Sequence, residues 1–442
     1  MTAGILDLDA TVARAAAAID ESALLEALGV LVGGSSPPGD ERALADAVAG
    51  WGRRVHGEDR WEVDALDDAS ANLFARSTGA TPGSGSAAEL VLYGHLDTSL
   101  TGSAERDFAV TALGTAPPPL RLDEPTRTLR GFGVGVAKAP SAAAIVAFAQ
   151  AGAALRALSV PHRLTLLLAA GGTHRASPAD RPARFGRGVE HALARGWRPS
   201  AVLNVKGGPR GVLHEEPAAA YLRVRLRRRW GAALARRQIA PDGGLARHTG
   251  AILDAIETWR TQYLAAHGAQ GQLGAEIAIG AIRSGLPEKP DLLPGLLDIF
   301  LYAVLLPGED PDRVARDLAA FLAPRVAALP GRPRLDVDVY ASAPGGATDP
   351  SGDIVRLASS AWTRYFGQTA PVREWTGATD GAIFLAAGIP TARIGPAVTR
   401  DDDDPRIEIV SLDELIGAAR AYAEIAVRYF ASPSRRAGEV SA

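Results

Sequence analysis

The sequence predicts an α/β domain with a largely parallel central sheet, interrupted by a smaller α+β insert. Three observations carry this reading. Continuous apolar runs alternate with helix-like segments in the first half of the chain. Near residue 217 the pattern switches to strands in which apolar and charged residues alternate. After about residue 342, signals of the first kind resume.

Residues 9–30 read as one helix, and "DERALADAVAGWGRRV" (40–55) as another, with acids leading and arginines trailing. "AELVLYG" (88–94) is a buried strand. "SAAAIVAFAQAGAALRAL" (141–158) is a helix opened by a serine cap after Pro140. "HRLTLLLAA" (162–170) and "SAVLNV" (200–205) are the uninterrupted apolar runs of strands covered on both faces.

The insert, 217–341, opens with "AYLRVRLRRRW" (220–230), a strand with one wet face. A helix (243–266), two strands (274–283 and 296–306), a helix (311–328) and a strand (333–341) follow. This βαββαβ order predicts a four-stranded sheet backed by two helices. Residues 1–216 and 342–432 then make up the discontinuous main domain, and the tail 433–442 reads as disordered.

The bulk properties exclude several classes. A chain of 442 residues with 47% hydrophobic and 22% charged residues has the composition of a globular protein with a large core. A net charge of -3 gives no reason to expect a nucleic-acid or membrane partner. No stretch approaches 18 uncharged apolar residues, and the first residues lack a basic leader, so the expected location is the cytoplasm. Without cysteine there is no disulfide and no thiolate metal site. Any metal would need His, Asp and Glu.

"YGHLD" (93–97) sets a histidine and an aspartate two residues apart at the end of a buried strand, a spacing typical of a metal site. Together with "GATDGAIFLAAGIPTARIGP" and "RIEIVSLDEL", and the interrupted α/β architecture, it resembles the M20 metallopeptidase family of aminoacylases, deacetylases and carboxypeptidases. The resemblance runs in order over nearly the whole chain. It implies a zinc-exopeptidase-like sheet domain with two zinc ions at the carboxyl edge of the sheet. It also implies a homodimer formed through the insert, and amide hydrolysis by a zinc-bound water.

The resemblance makes His95 the first metal ligand and Asp97 the carboxylate that orients it. The other ligand positions depart from the pattern. The bridging aspartate corresponds to Val136, the paired glutamates to Gly171 and Gly172, the next acidic ligand to Lys206, and the last histidine to Asp404. All eight histidines lie at or before His267, so no small shift of register restores that last one. In the insert, a histidine and an arginine that often reach the substrate correspond to Leu234 and Val304. Catalytic zinc needs about three protein ligands. No metal or other cofactor is therefore expected, and "GHLD" reads as the remnant of a dinuclear site.

Lys206, His95 and His174 are the candidate catalytic residues, and Asp97, Lys138, Asn204, Asp380 and Asp404 the candidate cleft residues around a small-molecule ligand. Each has a plainer alternative. His95 and Asp97 are also a structural hydrogen-bonded pair, Lys138 a loop cap, and Lys206 and His174 solvated loop residues. The sharper reading of Lys206 is an ammonium that replaces the metal's charge, held by Asp97 or Asp404. "LHEEP" (213–217) reads as a solvated acidic hinge, "RDDDDPR" (400–406) as a solvated loop, and the arginines of "RVRLRRRW" as a wet face. Three functions remain open. They are a repurposed, metal-independent enzyme acting on a small amide, amino acid or acyl compound; an inactive ligand- or partner-binding protein; and a hydrolase with relocated ligands such as His174, His214 or Glu215.

Overall fold

The computed structural model describes residues 8–79, 88–173, 186–239, 243–368 and 370–432. A six-stranded sheet runs in the order Arg60–Ala65, Ala71–Thr78, Arg163–Ala169, Glu89–His95, Ala201–Asn204, Thr391–Arg393. The last four strands are parallel, and the first two form an antiparallel hairpin at one edge. Parallel strands need cover on both faces, and every residue of Glu89–His95 is buried. Leu90 and Leu92 point into one core with the helices Ala139–Ala157 and Leu412–Ala431, while Val91 and Tyr93 point into the other, with Ile383 and Phe384.

The helix Ala139–Ala157 packs against Leu412–Ala431 and Glu21–Val32. Alanines 142, 143, 144, 147 and 151 are fully buried, and such small side chains let the helices approach closely. The segment Val134–Ala157 is long and apolar enough to cross a membrane, but 89% of its apolar window is buried inside the fold, which makes it a core helix.

Two sequence expectations need correction here. The single helix over 9–30 is two, Leu8–Ala17 and Glu21–Val32, because the Asp20 side chain caps the second by accepting from Ser22 N at 3.2 Å. The returning segment also builds a second sheet, in the order Val398–Arg400, Ile407–Ser411, Thr128–Phe132, Arg121–Asp123. Its strands are too short to show a period in the sequence. It carries Glu408 under the loop at Gly135 and Val136.

The insert has the expected succession of elements. Its antiparallel sheet runs Glu276–Ser284, Leu296–Leu305, Ala218–Arg227, Arg334–Ala343, and the helices Thr249–His267 and Pro311–Ala327 share a separate core with it. On the opposite face the arginines are paired across strands. Arg223 bonds Asp338 at 2.9 and 3.0 Å, Arg225 bonds Asp298 at 2.6 and 2.7 Å, and Arg227 pairs with Asp336. The two crossings into the insert are joined by an antiparallel pairing of Gly346 and Ala347 with Glu216 and Glu215. The tail 433–442, read as disordered, lies outside the described residues.

Candidate functional site

The carboxyl ends of the parallel strands gather the site, as in other open α/β sheets. His95 ends its strand, Gly171 to Thr173 follow the strand Arg163–Ala169, Lys206 follows Ala201–Asn204, and Arg393 ends Thr391–Arg393. Asp380 stands at the start of the helix Gly381–Ala386.

His95 and Asp97 are both buried, with Nδ1 at 3.1 Å from Asp97 Oδ1 and 3.0 Å from its backbone oxygen. Asp97 also accepts from Gly172 N at 2.7 Å, from Thr173 N at 2.8 Å and from the Thr173 hydroxyl. Burial pushes the Asp97 carboxyl up, but His95 and Thr173 outweigh it and hold the group down to about 2. With Nδ1 engaged, Nε2 is the ring nitrogen left for a ligand.

Lys206 pairs with Asp380 Oδ1, and its Nζ lies 3.4 Å from Gly172 O and 5.7 Å from the centre of the Tyr93 ring. The Tyr93 hydroxyl donates to the other Asp380 oxygen. All three side chains are buried. The expected partners were Asp97 and Asp404, so the pairing with Asp380 is a correction. Asp404 instead accepts from Arg406, at 2.9 Å from Nε and 2.7 Å from a terminal nitrogen, because that guanidinium lies two residues away. It does not line the cavity.

Lys138 also departs from the cleft assignment. Its ammonium is buried and donates to Leu31 O at 2.7 Å and Gly34 O at 3.0 Å, tying the helix Glu21–Val32 to the loop. Burial lowers it to about 8, with Asp97 acting in the opposite sense. Asn204 sits behind the cavity wall, donating to Glu216 Oε1 at 3.3 Å and to the Thr379 hydroxyl at 3.2 Å. His174 lies outside the described residues.

The acidic hinge is not solvated as a whole. Glu216 is 2% exposed, accepts from the Thr379 hydroxyl at 3.0 Å, and faces Arg393 at 4.0 Å. Burial pushes its carboxyl up and Arg393 pulls it back. The Arg393 guanidinium lies 5.1 Å from the Trp375 ring centre, and its Nε has no hydrogen-bond partner among the described residues. Glu408 Oε2 accepts from Gly135 N at 2.8 Å and Val136 N at 2.9 Å, while Oε1 faces Arg400 at 3.3 Å. The sequence alone does not mark Glu216, Arg393, Arg400 or Glu408 as site residues. The one sequence signal for Arg393 is its place at the end of a short apolar strand.

These groups surround a cavity of about 590 Å³ lined by His95, Val136, Gly172, Lys206, Trp375 and Arg393, among others. Among the described residues, no three His, Asp or Glu side chains are grouped so as to hold a metal ion, and His214 and Glu215 are no exception. Gly172 leaves no room for a side chain. A Cβ there would lie 2.4 Å from His95 Cβ and 2.9 Å from Asp380 Oδ2.

No protein-family model and no curated protein matches this sequence. Solved structures do match its fold. A tripeptidase from Staphylococcus aureus is 16% identical, with a TM-score of 0.64 over 92% of this chain and 99% of its own. The M20 family metallo-carboxypeptidase Sso-CP2 from Sulfolobus solfataricus is 12% identical, with a TM-score of 0.63 over 92% and 99%. YxeP from Bacillus subtilis, described as a dinuclear metal binding peptidase of the M20 family, is 14% identical, with a TM-score of 0.58 over 96% and 99%. The fold is that of the M20 peptidases, including the inserted α+β unit.

Proposed function

We propose that this chain is a metal-independent enzyme that acts on a small amide, amino acid or acyl compound in the cleft of an M20-type fold. The observation that carries the reading is the buried Lys206–Asp380 ion pair beside the His95–Asp97 pair. An ammonium there repels a nearby dication, and the closeness of Gly172 to His95 leaves no space for a ligand-bearing side chain. His95 Nε2 takes a proton from the ligand or from a water, and Asp97 holds the ring and stabilises the imidazolium that forms. Lys206 and Arg393 supply positive charge at the wall for an oxyanion that develops.

The test combines elemental analysis with turnover of N-acetyl amino-acid anilides in the presence of a chelator. The expected result is less than about one zinc per chain under the three-ligand rule, with chelator-resistant turnover that is lost in His95→Gln. Two zinc ions per chain and activity abolished by chelation would overturn the proposal. A second reading, a binding protein without catalysis, is favoured by the commitment of Lys206 to Asp380, which keeps its nitrogen from acting as a nucleophile.

We further propose a homodimer through the insert. The outer strand Glu276–Ser284 is exposed along most of its length and presents an uncovered edge. Light scattering at micromolar concentration is expected to give twice the chain mass; a monomer mass refutes the dimer.

A further inference from the structure

The four strands of the insert end together, away from the cleft. Ser284 pairs with Leu297, and Arg227 with both Leu296 and Arg334, while the opposite ends of Ala218–Arg227 and Arg334–Ala343 lead into the hinge. The connections 228–248, 285–295 and 328–333 therefore emerge side by side. Hydrogen bonds join them: Arg228 N donates to Gly295 O at 2.9 Å, Ala233 N to Asp291 O at 2.8 Å, and an Arg228 terminal nitrogen to Pro330 O at 3.2 Å. The three connections hold seven Lys and Arg against three Asp and Glu, a formal charge of +4, so the rest of the chain carries -7 of its total of -3. The small net charge averages over a divided molecule. Arg229, Arg236, Arg237, Arg247 and Arg332 are exposed and enter no ion pair among the described residues. Of the eight exposed large apolar side chains among those residues, five lie at this same end, led by Leu234, which is fully exposed, Trp230 at 62% and Leu286 at 60%.

We propose that this distal end of the insert docks on an anionic phospholipid surface. Unpaired arginines gain from a negative surface potential, and each adds a further increment. Projecting leucines and a tryptophan among arginines match the boundary between headgroups and acyl chains, where the apolar groups sink and the guanidinium groups stay with the phosphates. A bilayer accepts separate protrusions that share one end of a fold, without a complementary pocket for each. Nucleic acid fits less well, because Leu234 and Leu286 have nothing to stack on and Trp230 is the one exposed aromatic ring at this end. A second copy docked tip to tip would set +4 against +4. The strand Ala218–Arg227 spans ten residues, so the docked end stands about 30 Å from the hinge and leaves the cleft open to solvent. The surface is independent of the chemistry proposed for the cleft.

The experiment is co-sedimentation of the full chain with vesicles of phosphatidylcholine alone and of phosphatidylcholine with about one third phosphatidylglycerol, at low salt. Partitioning onto the anionic vesicles is expected to be about tenfold or more stronger than onto the neutral ones. Arg236→Gln with Arg237→Gln should weaken it about tenfold or more, and Leu234→Ser should weaken it severalfold, both with unaltered thermal melts. Anionic vesicles should shift the tryptophan emission to shorter wavelength, and Trp230→Phe should remove that shift. Equal partitioning onto both vesicle types, or onto neither, would overturn the proposal. So would wild-type partitioning by the Leu234→Ser chain, which would mean charge attraction without docking. Displacement of the chain from vesicles by a short single-stranded DNA at equal phosphate concentration would assign the surface to nucleic acid. A fall in the mass of Leu234→Ser by light scattering, from two chains to one, would assign it to a second copy, and either result sinks the membrane reading.

Discussion

The Lys206 ammonium is paired with the Asp380 carboxylate inside the cleft, 174 residues along the chain, with both side chains removed from water. The pair ties the loop after Ala201–Asn204 to the start of the helix Gly381–Ala386, and the Tyr93 hydroxyl completes the carboxylate's shell. Removing one member strands a buried charge. Lys206→Met is therefore expected to destabilise the fold by about 3–5 kcal/mol, whereas Lys206→Met with Asp380→Asn should recover much of that loss. Urea denaturation of the two variants checks this. If the double variant is no more stable than the single one, the pair is not the reason.

Gly172 gives a steric prediction. Its Cβ position is 2.4 Å from His95 Cβ and 2.6 Å from His95 Cγ, and neither atom belongs to a flexible end. Gly172→Ala should destabilise by about 1–3 kcal/mol, the range for overpacking. Gly172→Glu should fail to bind zinc in equilibrium dialysis. A Gly172→Glu protein that folds and retains zinc would mean the loop yields more easily than its packing implies.

The sequence shows most clearly what is decided locally. The strands at Glu89–His95, Arg163–Ala169 and Ala201–Asn204 are legible because both faces are buried, which forces continuous apolar runs. The insert is legible because one wet face imposes alternation. His95 and Asp97 are legible because they stand two positions apart at a strand end. The partner of Lys206 is not, since a residue 174 positions away leaves no spacing signal. Asp404 misleads for a local reason: Arg406 captures its carboxylate before the cleft can. Glu216 lies in an acidic run that reads as solvated, and only the tertiary fold brings Arg393, Thr379 and Asn204 around it. Burial of a charge is a property of the assembled fold.

The cross-strand pairs of the insert should differ in strength according to burial. Arg225 bonds Asp298 in two places, and the Asp298 side chain is only 4% exposed. Arg225→Met should cost about 2–4 kcal/mol, because a buried carboxylate loses its partner. Arg227 and Asp336 are 50% and 29% exposed, so Arg227→Met should cost less than about 1 kcal/mol. Thermal melts of both variants provide the comparison, and equal losses would contradict the ordering.

Lys138 should make the fold more stable at high pH. Burial lowers its ammonium from the ordinary 10.5 to about 8, against the weaker opposing pull of Asp97. Below about pH 8 both the folded and the unfolded chain carry the proton, and the folded state bears the full penalty of a buried charge. Between about 8 and 10.5 the folded chain has lost the proton while the unfolded chain still holds it. The unfolded state then binds more protons, so stability rises with pH across this window, by about 3 kcal/mol in total at most. Nothing is lost on the other side, since a neutral amine still donates to Leu31 O and Gly34 O. Lys138→Met removes both the charge and the donors. Its deficit relative to the parent chain should be small near pH 7, where the lost charge penalty offsets the two orphaned carbonyls, and should widen towards pH 10. Urea midpoints at the two pH values measure this, and a deficit that stays constant or narrows would show that Lys138 does not titrate in the folded chain as its burial requires.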